Sequence, residues 1–330
     1  MKIGINGFGR IGRGFLRELL KRNSKVEVVA INDVTDAKTL AHLFKYDSVH
    51  RKFEGDVSYD DKNIYVQGKK IKVFSILDPS QIPWEEEGIE VVLEATGKFA
   101  KAEEAKKHLK GSVRNVVVTT GCKGADLMIV MGCNDHLLSK EKHIIISNAS
   151  CTTNCAAVTM KSIMDRWHLI EGYLVTVHSY TNDQRILDLP HKDLRRAKAA
   201  ALSIIPTSTG AAKNLSEIWP ELKGKMNGVA LRVPTPNVSI TNLVLTLKEN
   251  VSKEELNKAF KEDSEGKLKG LLAYTEEEIV SVDLNGTTVS ATVDGLLTDK
   301  VGEHTVSIFS WYDNETGYNN RLIDVVEKLI

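Results

Sequence analysis

The chain reads as α/β: a mostly parallel-sheet domain, followed by an α+β domain with a mixed or antiparallel sheet. Three observations predict this. Short apolar strands alternate with helical patterns over the first 150 residues. A glycine-rich turn joins the first strand to the first helix. Beyond residue 151 the strands lengthen and take on the partial alternation of half-buried sheets. A length of 330 residues accommodates two domains of ordinary size.

The first strand, 2–5, runs into Asn6-Gly7-Phe8-Gly9-Arg10-Ile11-Gly12, and a helix is expected over 10–22. A second strand, 26–31, ends at Asn32-Asp33. Gly7, Gly9 and Gly12 thus form a G-x-G-x-x-G fingerprint between strand and helix, with Asp33 lying 21 residues beyond Gly12. The first glycine permits the tight turn, the second lets backbone approach a pyrophosphate, and the third lets helix and strand pack closely. Arg10 and Ile11 open the helix whose N-terminus faces the phosphates. This is a Rossmann-type mostly parallel sheet domain, and the ligand expected is a dinucleotide. Asp33 would accept from the adenosine ribose hydroxyls and repel a 2′-phosphate, which favours NAD over NADP.

The alternation continues with strands at 90–94, 115–119, 127–131 and 143–146 and a charged helix at 101–110. Thr96-Gly97 and Thr119 sit at strand ends, where ligands bind in open parallel sheets. Residues 44–84 break the rhythm; the strands at 63–66 and 70–74 read as an antiparallel insertion.

After the strand at 143–146 comes Ser147-Asn148-Ala149-Ser150-Cys151-Thr152-Thr153-Asn154-Cys155, then a helical pattern to about residue 167. Cys151 falls on the first helical turn, where unpaired N–H groups and the helix dipole favour thiolate. Taken alone, a cysteine among small residues can equally be a small buried hydrophobe. His178, near the end of a strand at 172–180, is a candidate proton partner for the sulfur. Spacing alone does not select it among nine histidines. Further strands are expected at 228–233, 238–248 and 304–312, and a terminal amphipathic helix at 315–330. Residues 181–209 form a long stretch without steady periodicity, of the kind that is functional or interfacial. The domains are expected at 1–150, completed by the helix 315–330, and at 151–314.

Lys+Arg and Asp+Glu are equal at 44 each, so no global field points to nucleic acid or a membrane surface. An anionic ligand must be gripped by a local cluster. The chain opens directly on a strand, and no apolar run approaches about 20 residues. The four cysteines (122, 133, 151, 155) fit a reducing cytoplasm, and their spacing argues against zinc; no metal is expected.

Together these residues resemble the glyceraldehyde-3-phosphate dehydrogenase family, the phosphorylating, NAD-dependent enzymes of glycolysis. The resemblance is carried by the glycine fingerprint, by 147–155, and by Ser208-Thr209-Gly210-Ala211-Ala212-Lys213. It continues in Arg232-Val233-Pro234-Thr235-Pro236-Asn237-Val238-Ser239 and Ser310-Trp311-Tyr312-Asp313-Asn314-Glu315-Thr316-Gly317-Tyr318. It implies Cys151 as the nucleophile and His178 as its base, ion-pair partner and oxyanion donor. Asn314 would orient the nicotinamide, with Tyr318 nearby. Thr181, Arg195 and Arg232 would hold the substrate phosphate, and Ser150, Thr152, Thr209 and Gly210 the attacking inorganic phosphate. It also implies a homotetramer, in which the long loop packs against a neighbour's, and it links Leu189-Pro190 with NAD. Leu77, Lys98, Gly121 and Lys198 depart from the family pattern without touching the chemistry. The rival readings are an erythrose-4-phosphate dehydrogenase, an NADP-linked acyl-phosphate reductase, and a non-catalytic thiol sensor or NAD-binding protein.

Overall fold

The computed structural model describes residues 1–330, which divide into two compact units. One comprises residues 1–129, 136–149 and 319–330, the other 130–135 and 150–318.

The first unit contains β1 (Lys2–Asn6), α1 (Arg10–Lys21), β2 (Glu27–Asn32), α2 (Ala37–Lys45), β3 (Tyr46–Asp47), β4 (Arg51–Lys52), β5 (Val57–Tyr59), β6 (Asn63–Val66) and β7 (Lys69–Phe74). It continues with β8 (Val91–Glu94), α3 (Ala102–Ala105), β9 (Asn115–Val118), β10 (Leu127–Met128) and β11 (Ile145–Ser147). Nine strands form one sheet in the order β10-β11-β9-β8-β1-β2-β7-β6-β5. From β10 to β7 every pairing is parallel, whereas β7–β6 and β6–β5 are antiparallel. The expected insertion therefore does not stand apart. Its last strand joins β2 in parallel, and its hairpins extend the sheet edge.

Both faces of the parallel part are covered, so its strands read as continuous apolar runs: β8 and β9 are buried at every position. Helix α1 buries Phe15, Leu16 and Leu19. The expected ten-residue helix at 101–110 is only α3 followed by a 3₁₀ turn, Lys106–His108. Its buried positions are Ala102, Ala105 and His108, a spacing of three that suits 3₁₀ geometry; Leu109 is partly buried, and lysine and glutamate fill the rest.

The second unit contains α4 (Cys151–Met164), β12 (Leu169–Ser179), β13 (Ile205–Ser208), α5 (Ala211–Ile218), β14 (Met226–Val233), β15 (Ser239–Leu247) and α6 (Lys253–Glu265). After these come β16 (Leu272–Thr275), β17 (Ala291–Asp294), β18 (Asp299–Val301), β19 (Thr305–Tyr312) and α7 (Thr316–Glu327), the last of which ends outside this unit. Its sheet runs β13-β14-β12-β15-β19-β17-β16, with β18 paired to β19. It is mixed: β12–β14 and β16–β17 are parallel and the other pairings antiparallel. Strands β15 and β19 bury alternate residues, the signature of a sheet with one face on the core. Helix α4 packs on strands β12, β15, β17 and β19 and on helices α5 and α6. It is buried nearly all round, which explains its apolar and small-residue composition. No helix is long and apolar enough to cross a membrane.

Candidate active site

In the first unit, β1, β2 and β8 end side by side around a cavity of about 220 Å³. It is lined by Asn6, Gly7, Gly9, Asn32, Asp33, Val34, Ile76, Leu77, Ala95, Thr96, Lys98 and Phe99. Four of the expected nucleotide residues, Gly7, Gly9, Asp33 and Thr96, therefore share one cavity at the carboxyl ends of parallel strands, where ligands bind in such sheets. Arg10, Ile11 and Gly12 form the adjoining first turn of α1, Gly97 follows Thr96, and Thr119 follows β9.

The three glycines serve different needs. Gly7 has φ +93°, and a Cβ there would lie 2.7 Å from the Thr96 backbone nitrogen; a Cβ on Gly12 would lie 2.3 Å from the Gly7 carbonyl oxygen. Both are required by the protein itself. A Cβ on Gly9 would meet nothing within 4 Å. Its lack of a side chain leaves an open approach to the backbone, and α1, which begins there, has no side-chain cap. An uncapped helix start beside an open backbone suits a pyrophosphate, so these residues fit a dinucleotide. Asp33 also braces the turn: Oδ2 accepts from the Phe8 N–H at 2.8 Å and Oδ1 from the Thr35 N–H at 3.1 Å.

In the second unit the reactive cluster is set by sheet register. His178 on β12 is paired with Arg232 on β14, and Thr176 shares the His178 face two residues earlier. Cys151 is the first residue of α4, capped by Ser150, whose Oγ accepts from the Thr153 N–H at 3.1 Å. Cys151 is partly exposed and its Sγ lies 3.5 Å from His178 Nε2. Cys155, one turn deeper, is fully buried against Thr241 Oγ1 at 3.5 Å. The two cysteines thus separate into an accessible sulfur and a core one.

His178 Nδ1 lies 2.6 Å from the Ser179 carbonyl oxygen and 3.1 Å from Arg232 Nη1. A neutral ring satisfies only one of these. The shorter contact, to the carbonyl, puts the proton on Nδ1 and leaves Nε2 to accept from the Cys151 thiol. Arg232 Nη1 also donates to the Ser179 carbonyl at 3.2 Å and to Thr181 Oγ1 at 3.3 Å, while its buried Nε has no partner. A buried donor left open beside a hydroxyl is a ready anion ligand.

The electrostatics correct one expectation. Burial pushes the Cys151 thiol up, against the pull of Arg232 and of hydrogen bonds from Thr152 and the backbone. Burial, with Arg232 adding to it, pushes His178 down to about 3. Burial therefore opposes the helix N-terminus at the sulfur, and it opposes charging of the ring at His178.

The remaining expected residues are placed as follows. Thr152 Oγ1 is buried and hydrogen-bonded to Tyr312 Oη at 2.8 Å, and Tyr312 Oη also meets Thr176 Oγ1 at 2.8 Å. Thr209 Oγ1 accepts from the Ala211 N–H at 3.2 Å, and Gly210 is the N-cap of α5. Arg195 is exposed, and it is its neighbour Arg196 that is tied to Asp183 and Thr207. Asn314 is buried, with Oδ1 accepting from Ser239 Oγ at 2.9 Å, which fixes its amide. Tyr318, also buried, lies in the first turn of α7. Sequence reading missed Tyr312, Ser239 and the Ser179 carbonyl. The only signal was the alternation of β15 and β19, which turns Ser239 and Tyr312 inward.

A cavity of dinucleotide type on a parallel sheet, and a cysteine on α4 set against a histidine of a mixed sheet, belong to the class of NAD-dependent oxidoreductases. The profile described as "Glyceraldehyde 3-phosphate dehydrogenase, NAD binding domain" matches residues 1–102, and that of the C-terminal domain matches residues 150–314. Glyceraldehyde-3-phosphate dehydrogenase 1 of Bacillus cereus is 55% identical over 324 residues, covering 98% of this chain and 97% of that one. The Geobacillus stearothermophilus enzyme is 54% identical over 325 residues, with coverages of 98% and 97%. That of Thermotoga maritima is 52% identical over 330 residues, covering 100% of this chain and 99% of its own. The chain belongs to the glyceraldehyde-3-phosphate dehydrogenase family.

Proposed function

We propose that the chain oxidises D-glyceraldehyde 3-phosphate to 1,3-bisphosphoglycerate with NAD and inorganic phosphate, through a covalent intermediate on Cys151. The observation that carries this reading is the Cys151 Sγ–His178 Nε2 contact of 3.5 Å beside the open Nε of Arg232.

Arg232 and Thr181, with Arg195 from the exposed loop, grip the substrate phosphate. The incoming dianion offsets the Arg232 charge that helps hold His178 neutral, so His178 can take the thiol proton as the sulfur adds to the aldehyde. The resulting thiohemiacetal oxygen is stabilised by the His178 N–H and the Cys151 backbone N–H. NAD, when bound, would supply a hydride acceptor for oxidation of the thiohemiacetal to a thioester. Gly7, Gly9, Arg10, Ile11, Gly12, Asp33, Thr96, Gly97 and Thr119 would hold it, and Asn314 with Tyr318 would orient the nicotinamide. Inorganic phosphate, held by Ser150, Thr152, Thr209 and Gly210, then attacks the thioester carbonyl. The acyl phosphate leaves and Cys151 is restored.

In this reading residues 1–150, completed by the helix 315–330, bind NAD, and residues 151–314 carry the chemistry. We place the protein in the cytoplasm, on its four free thiols. We take it to be a homotetramer, on the apolar tips of the loop at 181–204, where Ile186, Leu194 and Leu202 are 85%, 81% and 80% exposed.

The deciding experiment follows NADH formation from glyceraldehyde 3-phosphate, with and without inorganic phosphate, and with NAD or NADP. Turnover is expected to require phosphate and to prefer NAD. Sustained turnover without phosphate, or faster turnover of erythrose 4-phosphate, would overturn the assignment.

A further inference from the structure

The nucleotide cavity is backed by a run of buried polar side chains, Trp84, His108, Glu94, Asn6 and Asn32, of which only the last two line it. His108 is 0% and Glu94 1% exposed. Trp84 Nε1 lies 3.1 Å from His108 Nδ1. An indole nitrogen only donates, so Nδ1 accepts and the ring proton sits on Nε2. That N–H donates to Glu94 Oε2 at 2.9 Å. The tautomer of a fully buried histidine is thus set by a tryptophan and spent on a carboxylate.

The same carboxylate holds the walls of the cavity. Oε2 also accepts from Asn6 Nδ2 at 2.6 Å, and Oε1 accepts from the Thr96 N–H at 2.9 Å and from the Thr96 hydroxyl. Asn6 Oδ1 in turn accepts from Asn32 Nδ2 at 2.8 Å, one residue before Asp33. Glu94 therefore fixes the residue before Gly7, the turn at Thr96 and, through Asn6, the end of β2. Phe99, a cavity residue, meets the His108 ring edge-on at 6.5 Å and 89°. A carboxylate this deep is tolerable only when its lone pairs are all used. Without the His108 donor, Glu94 rotates toward other donors or draws in water, and Asn6 and Thr96 move with it.

We propose that His108 is a positioning residue for the dinucleotide: it holds Glu94 in the orientation that sets Asn6 and Thr96 against the cofactor. The proposal rests on the cavity being the seat of NAD.

The test compares His108→Leu, His108→Gln and Trp84→Phe in the full-length protein by NAD binding, KM for NAD, kcat and the rate of Cys151 alkylation without cofactor. His108→Leu is expected to raise Kd and KM for NAD about tenfold, the cost of one unmet buried acceptor. Alkylation of Cys151, kcat and KM for the aldehyde should stay within about twofold. His108→Gln keeps an N–H for Glu94 and should recover most of the affinity. Trp84→Phe, which removes the donor that sets the tautomer together with part of a buried ring, should weaken NAD binding several-fold and supplies the reading if His108→Leu does not fold. Wild-type NAD affinity in His108→Leu, or equal losses in the leucine and glutamine variants, overturns the proposal. So does an unchanged affinity in a folded Trp84→Phe protein. A wild-type protein that does not bind NAD removes the cofactor reading as well.

Discussion

His178 and Arg232 are register partners on the parallel strands β12 and β14, and Arg232 Nη1 stands 3.1 Å from His178 Nδ1. A permanent cation is thus set against the ring that becomes a cation in the proposed mechanism. The same guanidinium opposes the desolvation of Cys151. Arg232 works on the two partners in opposite senses: it favours the thiolate and disfavours the imidazolium. The cost falls on the free protein, and in the proposed mechanism an anionic substrate at the open Arg232 Nε offsets it.

Replacing Arg232 by leucine removes the charge that does most to hold the Cys151 thiol down against burial. The thiol should titrate at higher pH, so the pH profile of iodoacetamide alkylation moves to the alkaline side. KM for the aldehyde should rise at least about tenfold, since a charge-assisted phosphate contact is lost. An unmoved or acid-shifted profile would show that Arg232 does not act on the sulfur.

His178 has a second, pH-dependent consequence. Its folded pKa is depressed from 6.5 to about 3. Between these values the unfolded chain binds the proton and the folded chain does not, so stability falls as pH drops through this window. At pH 5 the loss should be on the order of 2 kcal/mol. His178→Asn, which has no such proton, should lose correspondingly less between pH 7 and pH 5. Urea unfolding of both proteins at the two pH values measures the difference. Parallel losses would contradict the buried neutral ring.

The nucleotide turn is legible in the sequence because its constraints are local: Gly7, Gly9, Gly12 and Asp33 lie within one strand–helix–strand unit, and three of them line one cavity. The Trp84–His108–Glu94 relay is not, since its members lie on a strand and two separate 3₁₀ turns and meet only in the folded chain. The helix at 102–105 is shorter than expected. Its charged residues have high helix propensity, while the three-residue spacing of its buried positions decides its geometry. At Cys151 the sequence displays the helix start but not the surrounding side chains, whose desolvation pushes the thiol the other way. Ser150 and Thr152 show the same limit: the sequence places their hydroxyls on the turn but not against their partners, Thr153 and Tyr312.

The glycine turn separates fold from binding. Gly12→Ala places a methyl 2.3 Å from the Gly7 carbonyl oxygen, so the protein without cofactor should lose about 2 kcal/mol or more. Gly9→Ala meets no protein atom, and its stability without cofactor should stay within about 0.5 kcal/mol of wild type. Its NAD affinity should nevertheless fall at least about tenfold, because the methyl occupies the approach to the backbone. Thermal melts with and without NAD separate the two. An unchanged NAD affinity in Gly9→Ala would move the pyrophosphate away from this turn.

The loop at 181–204 is tied together by polar contacts of its own: Arg196 with Asp183, Lys198 with Asp188, and Arg185 with the Pro190 carbonyl. These order the backbone yet leave Ile186, Leu187, Leu189, Leu194, Leu202 and Ile204 in solvent. In the proposed assembly a loop stiffened by its own ion pairs presents six aliphatic side chains for a neighbour to cover, and burying each such side chain is worth about 1.5–3 kcal/mol. Ile186→Asp combined with Leu194→Asp puts two carboxylates on that surface and touches none of the internal pairs. The variant should fold, sediment as a smaller species than wild type, and lose activity on dilution. If it sediments with the wild-type mass, the loop is not the assembly surface. If the wild type is itself monomeric, the tetramer reading fails outright.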